Sequence, residues 1–223
     1  MTRPAIILFT RAPVRGMGKT RLSSFLSQDE RVLFQRACIS DEIASMRAAA
    51  ENILVFCTPF AEADAIRELG ASDLAFFPQE GEDLGEKMLN AFRKAFSLGY
   101  GPCLLAGSDI PEISPGHFAH AFSLIRENDV VITPTADGGY CLIGMGRPLE
   151  APFAAIEYGT KSVFESTSEA IAQSGLSLGV TSPIRDIDTP EELIDFASRA
   201  PLPQCPLASK LALELVGGKA FPR

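Results

Sequence analysis

"AIILFTRAPVRGMGKTRL", residues 5–22, sets an apolar run against a loop holding two glycines and four cations. Ala5–Phe9 predicts a first strand. Gly18-Lys19-Thr20 invites comparison with a P-loop. That motif needs its first glycine at position 13, where Pro13 stands without a backbone N–H for a phosphate. The dinucleotide fingerprint G-x-G-x-x-G also fails, because Arg21 occupies the place of its third glycine. A strand feeding a cationic loop remains. Its charges are either solvated or face a small anion.

Working outward, short apolar strands alternate with amphipathic helices. Strands are expected at Ile53–Cys57, Ala75–Phe77, Cys103–Ala106, Val130–Thr133, Cys141–Met145 and near Leu176–Val180. Helices are expected from Asp29 to about Ala50, over Ala61–Leu69 and Leu84–Leu98, after Ser114, and from about Thr160 to Gln173. Thr189, Pro190 and Glu192 make a capping box for another. Repeated strand–helix units predict an α/β fold, a mostly parallel sheet with helices on both faces. Three prolines in residues 201–206 separate a main body, 1–200, from a C-terminal segment, 201–223, with a short helix. Leu207, Leu211 and Leu215 form a stripe there, suited to packing on the body or to contact with a second copy in a homo-oligomer.

The chain has 223 residues and a net charge of −8, which argues against nucleic acid as a partner. No apolar run is long enough for a membrane span, and no secretion signal is read, so a cytoplasmic protein is expected. Five scattered cysteines suggest reduced thiols. Residues 1–21 carry five cations and no acid, and the rest holds 15 cations and 28 acids. A positive loop on an acidic body suits a phosphate or diphosphate.

Ligands of such sheets sit outside the carboxyl ends of the strands. Asp109, in "GSDIPE", follows a buried strand and must cap, pair or bind a metal. "RDIDTPEE" places Asp186 and Asp188 two residues apart. Asp109 with Asp188 could hold Mg²⁺ or Mn²⁺ on a diphosphate; the alternative pairs Asp188 with Arg185. Asp137, in "PTADGGY", either belongs to a plain hairpin or faces an acceptor beside Gly138 and Gly139. His117 and His120 fall off the apolar stripe of their helix, which argues against a histidine triad.

"FTRAPVRGMGKTRL", "GEDLGEKM", "GSDIP", "PTADGGYCLIG" and "DIDTPEEL" together resemble a bacterial family of GT-A-fold nucleotide-diphospho-sugar transferases. That family includes glycosyltransferases linked to arsenosugar biosynthesis. The resemblance spans roughly residues 5–200. More distantly the chain is similar to molybdenum-cofactor nucleotidyltransferases and CMP-sugar synthetases. It implies a three-layer α/β/α, Rossmann-like GT-A fold with a mixed, mostly parallel sheet. It also implies nucleotide contacts from Arg11, Lys19 and Arg21, and Thr10, Arg15, Gly85, Gly107 and Ser108 are expected to join them. The base would lie near Gln79 to Gly85, and the metal, Mg²⁺ or Mn²⁺, on Asp109 and Asp188. Cys141 stands where relatives often carry an aromatic residue, and "GMGKTRL" replaces a more cationic "GKVKTRL".

The expected function is metal-dependent glycosyl transfer from a nucleotide sugar to a small-molecule acceptor. Lys19 would stabilise the leaving nucleotide, and Asp137 would act as base if configuration inverts. The alternatives are nucleotidyl transfer from an NTP, and a nucleotide-binding protein without catalysis.

Overall fold

The computed structural model describes residues 3–218. β1 (Ala5–Arg11) is apolar on both sides, with Ile6 and Leu8 in one core and Ala5 and Ile7 in the other. Such a strand is stable only in the middle of a covered sheet. It pairs in parallel with β2 (Asn52–Thr58) and β4 (Cys103–Ala106), and β3 (Ala75–Pro78) extends β2. β5 (Val130–Pro134), β6 (Tyr140–Met145) and β7 (Leu178–Val180) complete the sheet in the order β3-β2-β1-β4-β6-β5-β7. β6 runs antiparallel to both of its neighbours, and the other four pairings are parallel. The architecture is the expected three-layer α/β/α fold with a mixed, mostly parallel sheet.

The helices are α1 (Gln28–Ala49), the one-turn α2 (Asp64–Ile66), α3 (Leu84–Ser97), α4 (Pro115–Leu124), α5 (Val163–Gln173), α6 (Pro190–Ser198) and α7 (Pro206–Gly217). α1 and α4 cover one face of the sheet, and α3 and α5 cover the other. α6 and α7 add an outer layer over α1. Phe34 and Cys38 of α1 pack there with Leu193, Phe196, Ala208 and Ala212. α1 is therefore buried on two sides, with Ile39, Ile43 and Met46 against the sheet.

Several elements differ from their sequence expectation. The helix expected over Ala61–Leu69 is broken into Phe60–Glu62, α2 and the irregular turn Arg67–Ala71. Leu69 and Gly70 leave helical geometry there, Gly70 with φ +82°. α5 starts at Val163 rather than Thr160. The backbone of Lys161 lies where a side chain on Gly138 would sit, and the Phe164 N–H donates to the Gly138 carbonyl at 2.9 Å. α7 packs through Ala208, Ala212 and Val216, whereas Leu207 is exposed and Leu211 and Leu215 are only partly covered. Asp41 of α1 fixes the start of α7, its carboxylate accepting from Leu207 N at 3.3 Å and Ala208 N at 2.8 Å.

Candidate active site

The loop after β1 is shaped by left-handed backbone. Gly16 and Gly18 have φ of +82° and +65°, and Lys19 follows at φ +46°. A side chain on Gly18 would collide with the amide of Gln35 on α1, so this glycine serves close packing as well as the turn. Gln35 Nε2 in turn donates to the Arg11 carbonyl at 3.1 Å. The outcome is that Lys19 points inward, its side chain fully buried.

The Lys19 ammonium donates to the Ile187 carbonyl at 2.6 Å and meets Asp109 at 2.5 Å and Asp188 at 3.6 Å. Burial is the largest single influence and would lower its pKa, but the charges of Asp109 and Asp188 and the hydrogen bond to Asp109 act together with the nearby Cys38 to hold it above the usual lysine range. Burial raises Asp188, and the Lys19 charge opposes that rise. Arg21 approaches the other oxygen of Asp188 at 3.6 Å. Arg185 pairs instead with Asp195 at 2.8 Å, so Asp188 is not its partner. Asp188 is placed by the α6 cap. Glu192 Oε2 accepts from the backbone N–H of both Asp188 and Thr189 at 2.8 Å.

Asp109 is positioned from behind. The next N–H, that of Ile110, donates to Glu42 Oε1 on α1 at 3.0 Å. Glu42 is fully buried, and burial raises its carboxyl well above the usual range. Its other oxygen has no hydrogen-bond partner among the described residues. Glu42 was missed in the sequence, although it lies at helical spacing from Ile39 and Met46 on the buried face. The hydroxyls of Thr10 and Ser108, 2.6 Å apart, join the ends of β1 and β4.

These groups line one cavity of about 490 Å³ at the carboxyl ends of β1 and its neighbours. Thr10, Arg11, Lys19, Arg21, Gly107, Ser108, Asp109 and Asp188 all meet there, joined by Gln79, Leu84 and Lys87. Lys87 was also missed, since it looks like an ordinary helical lysine. Three expected residues do not line the cavity. Arg15 is exposed and paired with Asp29 at 2.7 Å. Gly85 is the point where α3 approaches the ring of Tyr158. Asp137 holds its own turn, Oδ1 accepting from Thr135 Oγ1 at 2.6 Å and Gly139 N at 3.0 Å. Burial, and then the Asp137 charge, push neighbouring Asp186 up to about 6. A larger cavity, about 1030 Å³, opens at the other end of the sheet beside Pro4, Asn52, Tyr100 and Pro102, away from the acid pair.

Asp109 and Asp188 offer hard oxygen donors converging on one cation, the Lys19 ammonium. No cluster of three or more metal-ligating side chains exists among the described residues. Two carboxylates fit Mg²⁺ or Mn²⁺ when phosphate oxygens and water complete the shell.

Residues 43–160 match a bacterial protein family. The chain belongs to the family described as "uncharacterized protein conserved in bacteria (DUF2064)". It is also 29% identical over 183 residues to a 2-phospho-L-lactate guanylyltransferase of Methanoculleus marisnigri, covering 80% of this chain and 75% of that one. A solved structure from Desulfovibrio desulfuricans, provisionally described as a nucleotide-diphospho-sugar transferase, superposes with a TM-score of 0.86 at 26% identity. That match covers 98% of this chain and 96% of the other. Rv0371c of Mycobacterium tuberculosis, solved in complex with manganese, shares the fold with a TM-score of 0.54 at 13% identity, covering 87% of this chain and 97% of its own. These relatives support a transferase in general, not the arsenosugar-linked branch in particular. No helix among the described residues is long and apolar enough to cross a membrane.

Proposed function

We propose that this protein is a nucleotidyltransferase, joining a nucleoside monophosphate from an NTP to a small acceptor. The observation that carries the reading is the convergence of Asp109 and Asp188 on one cation position at a cavity also lined by Arg11, Arg21 and Lys87. The guanylyltransferase relatives support this reading over glycosyl transfer, which was the first expectation from sequence.

In the proposed reaction an acceptor oxygen forms a bond to the α-phosphorus as the bridge to the β-phosphate breaks. Pyrophosphate leaves with the bridging electron pair. Mg²⁺ or Mn²⁺ held by Asp109 and Asp188 would neutralise charge on the phosphates. Lys19 keeps the two acids together and compensates their charge. Arg11, on the rim of the cavity, is placed to contact phosphate oxygens. Asp137 keeps the structural role it has in its turn.

The test is a panel of NTPs and nucleotide sugars with Mg²⁺ or Mn²⁺, starting with GTP. Pyrophosphate release that depends on an added acceptor is the expected result. Glycosyl transfer is the second reading, favoured by the match to the Desulfovibrio protein over nearly the whole chain. Breakdown of a nucleotide sugar with no pyrophosphate from any NTP would establish it instead.

A further inference from the structure

Four cations line the cavity, and they are not equivalent. Lys19 is engaged by two carboxylates and a carbonyl, and Arg21 leans on Asp188. Arg11 and Lys87 have no charged partner among the described residues.

The isolation of Lys87 is unusual for its surroundings. It lies in "QEGEDLGEKM", with Glu80, Glu82, Asp83 and Glu86 all within seven residues before it. Asp83 is four residues back, the usual distance for a helical ion pair. Its carboxylate caps α3 instead, accepting from Glu86 N at 2.8 Å. Glu86 turns back to accept from Glu82 N at 2.7 Å. The two nearest acids, Asp83 and Glu86, are thus committed to the helix start, and neither they nor Glu80 and Glu82 form an ion pair with Lys87. It also sits near the positive end of the α3 dipole, where a cation is disfavoured. A local rule broken beside a cavity points to a ligand that compensates for it.

We propose that Lys87, with Arg11, forms the phosphate clamp of the cavity, while Lys19 positions Asp109 and Asp188. The ligand class is a polyphosphate chain, gripped between the loop after β1 and the first turns of α3. This rests on the nucleotide-binding reading above, but it concerns phosphate contact and does not depend on which bond is broken.

The experiment is calorimetric titration of inorganic tripolyphosphate with Mg²⁺ into wild type, Lys87→Met and Lys87→Arg, with guanosine as a phosphate-free control. Lys87→Met should weaken tripolyphosphate binding about tenfold, leave guanosine binding unchanged and make the affinity less sensitive to salt. Lys87→Arg should recover most of the loss. Unchanged tripolyphosphate affinity in Lys87→Met, an equal loss for guanosine, or no tripolyphosphate binding by wild type would each overturn the proposal. Absence of pyrophosphate release from every NTP would instead remove the nucleotidyl reading and leave the clamp measurable.

Discussion

Any change at Asp109 also strands a buried lysine. Lys19 has no exposed side-chain surface, and Asp109 is its nearest anion. Asp109→Ala should therefore lower stability, by roughly 2 kcal/mol, the scale of a hydrogen bond between charged groups. A half-open carboxylate makes the full cost of breaking a buried pair too high an estimate. Urea unfolding at neutral pH checks this, and a wild-type midpoint would mean that Asp188 and the Ile187 carbonyl suffice for the ammonium. Glu42 makes a second prediction. Its folded pKa is raised, so it stabilises the protein fully only below its unfolded pKa, about 4.3, and that contribution is lost as pH rises toward the folded value. Glu42→Gln keeps an acceptor for the Ile110 N–H and cannot ionise. The variant should gain relative to wild type between pH 5 and pH 8 in urea unfolding, and a constant difference across that range would contradict a raised Glu42. Asp109 was legible in the sequence because an acid after a buried strand needs a reason. Glu42 was hidden inside a long helix with many charges, and only its spacing from Ile39 and Met46 marked it.

The α6 cap links helix stability to the site. Glu192 Oε2 fixes the backbone of Asp188 and Thr189, and Thr189 Oγ1 accepts from Glu192 N at 3.3 Å. Glu192→Ala should cost about 1 kcal/mol in unfolding, as lost caps do. It should also weaken Mn²⁺-dependent nucleotide binding, because Asp188 is freed. Thr189→Ala removes the other half of the box and should cost a similar stability with less effect on metal dependence. If both variants weaken binding equally, Glu192 acts through the helix and not through Asp188. This capping box was visible in sequence because its residues are contiguous. The Ser27 and Asp83 caps are equally local and equally regular, and were overlooked. The late start of α5 was not legible, since it depends on Gly138 meeting Lys161 across a turn. Nor was the insertion of β6 between β4 and β5, because a hairpin signal fixes one neighbour of a strand and not the other.

At the scale of the molecule, acids from late in the chain balance cations from its beginning. Lys19 and Arg21 meet Asp188, whereas Arg15 meets Asp29, the first acid of the chain. Composition showed the imbalance, while the parallel topology decides which acids arrive. α7 is part of the same arrangement. It lies over α1 and α6, the helices that carry Gln35 and fix Asp188, and its start is held by Asp41. Burial raises Asp41, and the N–H groups of Ala208 and Leu207 counter that rise. Asp41→Ala should cost about 1–2 kcal/mol and speed hydrogen exchange at the first turn of α7. Asp41→Asn keeps the acceptor oxygen and should cost less. Loosening should spread along Phe34 and Phe196, whose rings meet edge to face at 6.4 Å beneath α7. Exchange in α6 should therefore rise as well, with β1 and β4 unaffected. If α7 amides exchange at the wild-type rate in Asp41→Ala, then Ala208, Ala212 and Val216 hold the helix without its cap, and apolar packing alone ties the last helix to the site.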